Sequence, residues 1–404
     1  MRQLVQARSA RQTVDTAKAP GSQSNFTGLP KDKEDFPITT PISSKQMEEH
    51  IEMVRTDFKL VFKDIMDRDH FEDKIYFRDP ITNVSFFRGY QFVVQFLRFF
   101  LAPIYELHEV QQAGEQEILV KWSWTMNFWW NRYTPFKYFW DPRFAFSGLT
   151  ILGYNPDTGK WNKHVDAWDA VEDNEFFSLE AFVFAFKQMA QVSTPPNRFT
   201  PEFQIYKRYK DWEIRRYRPF ITAEICLKDL QESNDAVGPG PGIKAQHERA
   251  QRQKAEVLLE RYLALGNDRE EYFELTTPLF VSNDDMFSLM VPGYKRIEDL
   301  PKPHKHSLIK LKQHPERFYA TAIFSGTPSE EDLQHKVRFL RGRLDKEGSQ
   351  AADDSWIFAR YNKEIWPKGP FRRNDLLIPL VEDSVDLWHG VDWEFVTRII
   401  AHPV

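Results

Sequence analysis

One cysteine, Cys226, stands in 404 residues. A lone thiol excludes an intramolecular disulfide and any zinc or iron–sulfur site built from several thiolates, and it fits a reducing compartment. An excess of positive charge is missing as well. With a net charge of -5 at pH 7 and a pI near 6.2, the chain lacks the basic field that draws proteins onto phosphate backbones, and nucleic acid is not expected as a partner. Long hydrophobic runs are absent too: the most apolar stretch, Tyr90 to Tyr105, is broken by Gln91, Gln95 and Arg98 and stopped by Pro103. It is too short and too polar to span a bilayer.

What remains is a chain with 41% hydrophobic and 28% charged residues, too long for one ordinary core and too apolar to be mainly disordered. Two domains with tails are expected. Residues 1–43 hold Pro, Ser, Thr and Lys without a sustained period and form a leader. Its opening carries Arg2, Arg8, Arg11 and Lys18 against Asp15, with Ser9, Thr13 and Thr16 between them and no apolar h-region. That composition suits an organellar transit peptide or a plain disordered tail.

From Ser44, a plausible N-cap, Met47, Ile51, Val54, Phe58, Val61, Phe62 and Ile65 recur at helical steps up to Asp67. A second helical run, Tyr90 to Leu101, follows Gly89. Alternation then predicts strands over Glu117–Phe128, Phe144–Tyr154 and Lys160–Trp168, with a closing helix at Leu179–Ala190. This order predicts an α+β domain over 44–191. The prolines of 192–202 exclude helix and interior strand and mark a linker. Beyond it, over 203–382, come strands at Phe203–Tyr209 and Trp212–Ile225, a glycine–proline loop at Asp235–Ile243 and a helix at Gln246–Leu265. The same order returns as a strand at Phe318–Phe324, a helix at Ser329–Lys346 and strands to Leu380. Residues 383–404 form a C-terminal extension.

Separated stretches of the second half, taken in order, resemble the SOUL haem-binding family. They are Trp212–Tyr217, then Tyr262 with Gly266, Asn267 and Asp268, then Thr276, Thr277 and Pro278. Phe287–Pro292 with Leu300–Pro303 follows, and Ala359–Asn362 with Phe371–Asp375 closes the set. The resemblance implies a distorted antiparallel β-barrel of two βαββ halves, with a groove beside the first helix that holds haem or a related tetrapyrrole. Carried over residue by residue, the groove contacts are Gln253, Val257 and Arg261 on that helix and Lys368 in the loop before the Arg-Arg-Asn segment, with Arg372 in that segment. Glu256 and Glu260 share the helix face and would repel propionates. Arg215, Arg216, Arg372 and Arg373 are either forked donors to propionates or solvated strand residues. His247, His304, His306, His314, His335 and Cys226 are chemically able to bind iron, and none is assigned.

Residues 44–191 resemble the nuclear-transport-factor-2-like superfamily, and within it a domain of unknown function found in plants, algae and cyanobacteria. Tyr76, Phe77, Asp79, Pro80, Gly89 and the strand His164–Asp169 carry that likeness. It implies a cone with a pocket in which Tyr76, Asp79, His164 and Asp166 are the available proton-transfer set, or else hydrogen-bonded structural groups. The aromatic segment Trp122–Trp140 buries one side of a strand, and its other side needs a lining, a protein partner or a lipid surface.

Together these readings give a tetrapyrrole-binding protein, or a binder of another flat apolar ligand. It is expected in the chloroplast (stroma, thylakoid-associated or plastoglobule), or in the cytoplasm if the leader is not a transit peptide. The alternatives are a scaffold that has lost haem binding and an enzyme acting in the cone.

Overall fold

The structure is a computed structural model that describes residues 44–57, 68–101, 103–128, 142–189, 198–231, 241–362 and 372–401. The leader, most of the linker, Trp129–Trp140 and Lys368 lie outside the described residues, as does the second half of the first predicted helix.

The first domain opens with α1 (Ser44–Asp57), followed by β1 (Phe71–Arg78), β2 (Asn83–Val84) and α2 (Phe87–Leu101). Next come β3 (Ile104–Gln112), β4 (Glu117–Asn127), β5 (Arg143–Asn155), β6 (Lys160–Trp168) and α3 (Leu179–Met189). The strands form one sheet in the order β2-β1-β6-β5-β4-β3; β1 runs parallel to β6 and every other pair is antiparallel. Helical spacing brings Met47 and Val54 of α1 and Ala181 and Phe184 of α3 into one core with Trp122, Phe146 and Trp168 of the sheet. Sequence alternation missed β1 and β3, whose half-buried residues blur the period.

The other face of this sheet presents Leu119, Leu149, Ile151 and Val165, which would be costly to leave in water. The C-terminal extension covers them. Leu387 and Trp388, together with Phe395, Val396 and Ile399 of α7 (Trp393–Ala401), complete that cluster. Asp392 caps α7 by accepting from the amides of Glu394 and Phe395, each at 3.0 Å. The two ends of the described chain therefore cover opposite faces of the same sheet.

The second domain holds β7 (Phe203–Arg208), β8 (Glu213–Tyr217), β9 (Phe220–Cys226), α4 (Leu227–Gln231), α5 (Pro241–Leu263), β10 (Leu279–Ser282), β11 (Met286–Met290) and β12 (Lys310–His314). It closes with β13 (Arg317–Ser325), α6 (Glu330–Lys346), β14 (Ile357–Arg360) and β15 (Arg373–Pro379). The stretch Trp212–Ile225, expected as one strand, is two, because Pro219 cannot donate to the ladder. The strands form an antiparallel sheet, β12-β9-β11-β10-β14-β15-β13-β8-β7, that curls into a half-barrel. Its middle, β9-β11-β10 against β14-β15-β13, is the duplicated βαββ unit placed back to back.

Both long helices lie on one face. Ala255, Leu259 and Tyr262 of α5 meet Ile221, Ala223 and Ile225, while Leu333, Val337, Leu340 and Leu344 of α6 meet Ile214, Ala320 and Leu376. A reciprocal cap between Ser329 and Asp332 starts α6. Alternation then sends the intervening strand residues to the concave face.

Candidate functional site

That concave face is charged. Glu213, Arg215, Arg373 and Asp375 are all buried there. Arg215 donates to Asp375 at 2.6 Å and also to Glu213; Arg208 donates to Glu213 at 2.5 Å. Arg373 reaches both Asp375 oxygens at 3.2 Å, and the Tyr361 hydroxyl donates to Asp375 at 3.1 Å. Arg143 comes from the first domain and lies 5.2 Å from the centre of the Phe203 ring, which Arg215 also faces at 4.2 Å. Burial pushes the Asp375 carboxyl up, but Arg373 and Arg215 outweigh it and hold the pKa down at about 2. Burial likewise pushes Arg143 down to about 10. The Glu-Ile-Arg-Arg-Tyr and Arg-Arg-Asn-Asp stretches therefore build a structural ion network. Arg215 and Arg373 are neither propionate donors nor solvated charges, and Arg216 pairs with Glu316 at the surface.

On the opposite face of the sheet, α5 turns a stripe outward. Gln253, Val257 and Arg261 follow at four-residue steps and all are exposed, Val257 by 54%; just past the end of the helix, Leu265 is exposed by 52%. Beside the stripe, Arg360 pairs with Glu256 at 2.5 Å, so this acid's charge is offset where the sequence alone implied a repulsive one. Arg372 donates to Thr327 at 2.8 Å, at the turn that leads into α6. The structure thus unites Gln253, Val257 and Arg261 and seats Arg372 against Thr327.

Of the possible iron ligands, His304, His306 and His335 are exposed. His247 contacts Gln251 at 2.7 Å. His314 lies on the concave face, stacked on Phe220 and bonded to Thr222 and Glu224 at 2.8 and 3.1 Å. Among the described residues no group of three or more His, Cys, Asp and Glu is placed to hold a metal ion.

In the first domain, the His164 ring is held between the Tyr90 hydroxyl at 2.9 Å and Asp166 at 3.1 Å. Thr150 donates to Asp166 and itself accepts from the Trp122 indole at 2.7 Å. Asp79 accepts from the amides of Ile81 and Thr82 at 2.7 and 2.5 Å. Burial pushes its carboxyl up to about 7, with Asp166 adding to the rise against the amide bonds. Tyr76 stands apart, packed with the C-terminal cluster on the outer face. Tyr90 takes the place expected of Tyr76. Its spacing from Phe87 and Val94 on the buried side of α2 was the available signal.

Residues 198–379 match the family model of the SOUL heme-binding protein. The second domain is a SOUL domain. Residues 48–164 match a second family model, Uncharacterized conserved protein (DUF2358). Similar solved structures include the epoxide hydrolase/cyclase-like enzyme SalBIII of salinomycin pyran-ring formation, 14% identical, spanning 30% of this chain and 93% of its own, with a TM-score of 0.25. Another is an NTF2-like protein of unknown function from Exiguobacterium sp. 255-15, at 14% identity, 31% and 99% coverage and a TM-score of 0.23. The EcmrR C-terminal domain is similar at 11% identity, 44% and 98% coverage and a TM-score of 0.28. No curated protein shows significant sequence similarity to the chain.

The SOUL family is haem-binding by description, and the α5 stripe fits one side of such a group. Val257 and Leu265 offer exposed carbon to a macrocycle, and the exposed Arg261 guanidinium is free to swing toward a propionate. Arg215 and Arg373 stand on the other side of the sheet and take no part in that fit.

Proposed function

We propose that the SOUL domain binds haem or a related tetrapyrrole along the outward stripe of α5, with Val257 against the macrocycle and Arg261 paired to a propionate. The observation that carries this reading is the apolar, exposed Val257 at helical spacing from Arg261, beside a Glu256 whose charge Arg360 offsets. Apolar burial at roughly 25 cal/mol per Å² supplies the affinity. A one-sided platform leaves the ligand exchangeable, which suits storage, buffering or trafficking. The basic opening of the leader, with Asp15 as the one acid in its first twenty residues, supports the chloroplast as the place where this happens. Protein purified from its source should release a tetrapyrrole on acid–acetone extraction; folded protein that yields no pigment would contradict the proposal.

A second reading, attachment of the first domain to a lipid surface, is favoured by a different observation. Beyond its buried face, α2 turns Phe92, Phe96 and Phe99 outward, and α3 turns out Leu179, Phe182, Val183 and Phe186. The charged residues of α2 are Arg88 and Arg98, the polar complement of an interfacial helix on anionic lipid. Co-flotation with phosphatidylglycerol vesicles that is lost in Phe92→Ser/Phe96→Ser supports it. Unchanged flotation in that variant would remove it.

A further inference from the structure

The concave face of the SOUL domain ends in a cavity of about 210 Å³ that the α5 reading leaves unused. Alternation along β9 places Phe220, Thr222 and Glu224 in its wall, facing Phe280 of β10, His314 of β12 and Tyr319 of β13. The rings form a box: Phe220 and His314 stack at 4.8 Å with planes 13° apart, and Phe280 lies 6.0 Å from Phe220.

Two carboxylates line this box, the exposed Asp284 and the buried Glu224, together with the cations Lys312 and Arg317. Glu224 is buried to 7% exposure. Its Oε1 is bonded by Thr222 at 2.9 Å and His314 at 3.1 Å. Its Oε2 faces the Lys312 ammonium at 3.9 Å, outside hydrogen-bond distance, and that lysine's side chain is 61% exposed. Those two neighbours together with Lys312 hold the Glu224 carboxyl below its ordinary range, against the rise that burial causes.

We propose that this cavity binds a small, flat aromatic cation, whose ring lies among Phe220, Phe280 and Tyr319 and whose positive nitrogen faces Glu224 Oε2. Ring faces attract cations, and a carboxylate in a low-dielectric wall does so more strongly than one in water. The competing cations of the lining are Lys312, whose side chain is 61% exposed and stays beyond hydrogen-bond distance of Glu224, and the half-buried Arg317. The volume sets the ligand class. Clefts for drug-sized molecules run to roughly 300–1,000 Å³, so this one admits a ring system of one or two rings and excludes a tetrapyrrole. The site lies across the sheet from Val257 and Arg261.

Isothermal titration calorimetry of the full chain with 1-methylquinolinium, and with the anionic control quinoline-2-carboxylate, tests the proposal. The cation should bind saturably and the anion should not. Glu224→Gln should weaken the cation about tenfold or more, Phe220→Leu should weaken it, and Lys312→Ala should tighten it. Val257→Glu should leave it unchanged, which separates this site from tetrapyrrole binding. Should Glu224→Gln fail to fold by circular dichroism, Phe220→Leu and Lys312→Ala carry the same test. Equal binding of cation and anion, absence of cation binding, or Lys312→Ala and Phe220→Leu indistinguishable from the parent would each overturn it.

Discussion

Arg215 on β8 and Asp375 on β15, 160 residues apart in sequence, meet at 2.6 Å across the intervening strand β13. The pair ties the outer strands of the half-barrel to its middle, and Arg373 and Tyr361 close the remaining valences of the carboxylate. Breaking a buried pair by neutralising one partner costs about 3–5 kcal/mol, because the other charge stays behind in the interior. Asp375→Asn should lower stability by that order in chemical denaturation, with the second domain's transition moving first. A change under about 1 kcal/mol would show the network to be solvated.

The same carboxylate sets an acid limit. Asp375 has an ordinary value of 3.8 and is held at about 2 in the fold. A depressed folded value means its contribution is present above the unfolded pKa and is lost as pH falls toward 2. The loss is on the order of 2 kcal/mol. Unfolding midpoints measured through that range should fall in the parent and stay flatter in Asp375→Asn.

Asp79 works in the opposite sense. Its carboxyl is raised from 3.8 to about 7, so the stability it contributes is full below the unfolded value and is lost as pH rises through 7. Asp79→Asn escapes that loss while its amide oxygen still accepts from Ile81 and Thr82. The variant should gain on the parent by a few degrees in Tm between about pH 5 and 8. A gap that does not change with pH would contradict the burial of this group.

Phe395 of α7 fills the outer face of the first sheet against Leu119, Leu149, Ile151 and Val165. Phe395→Ala should cost about 3–5 kcal/mol, although the residue lies outside the stretch matched by the first domain's family model. Differential scanning calorimetry should show the loss in the first domain. Unchanged unfolding would mean the helix is a passive tail.

Much of this architecture was legible because its signals are local. Lys160–Trp168 alternates and is strand β6, Ser329 caps α6, and the duplicated element order is the back-to-back sheet. The groove residues Gln253, Val257 and Arg261, which the SOUL resemblance implied, stand at helical spacing on one exposed face of α5. What the sequence hid is long-range. Nothing near Arg143 announces that it enters the other domain's ion network, and nothing in residues 383–404 names the sheet they cover. Glu256 looked repulsive because its partner Arg360 is 104 residues away. Pro219, in contrast, was a visible breaker inside an apparently continuous strand.

Tetrapyrrole binding at α5 is tested most directly by a haemin absorbance titration of the full chain beside Val257→Glu and Arg261→Glu. Both positions are exposed, so neither change disturbs the core. The parent should give a saturable Soret shift. Val257→Glu should weaken it about tenfold or more, since a charge replaces apolar contact, and Arg261→Glu should weaken it by a similar factor through a reversed ion pair. No saturable shift in the parent, or equal affinity in all three proteins, would contradict binding at this stripe.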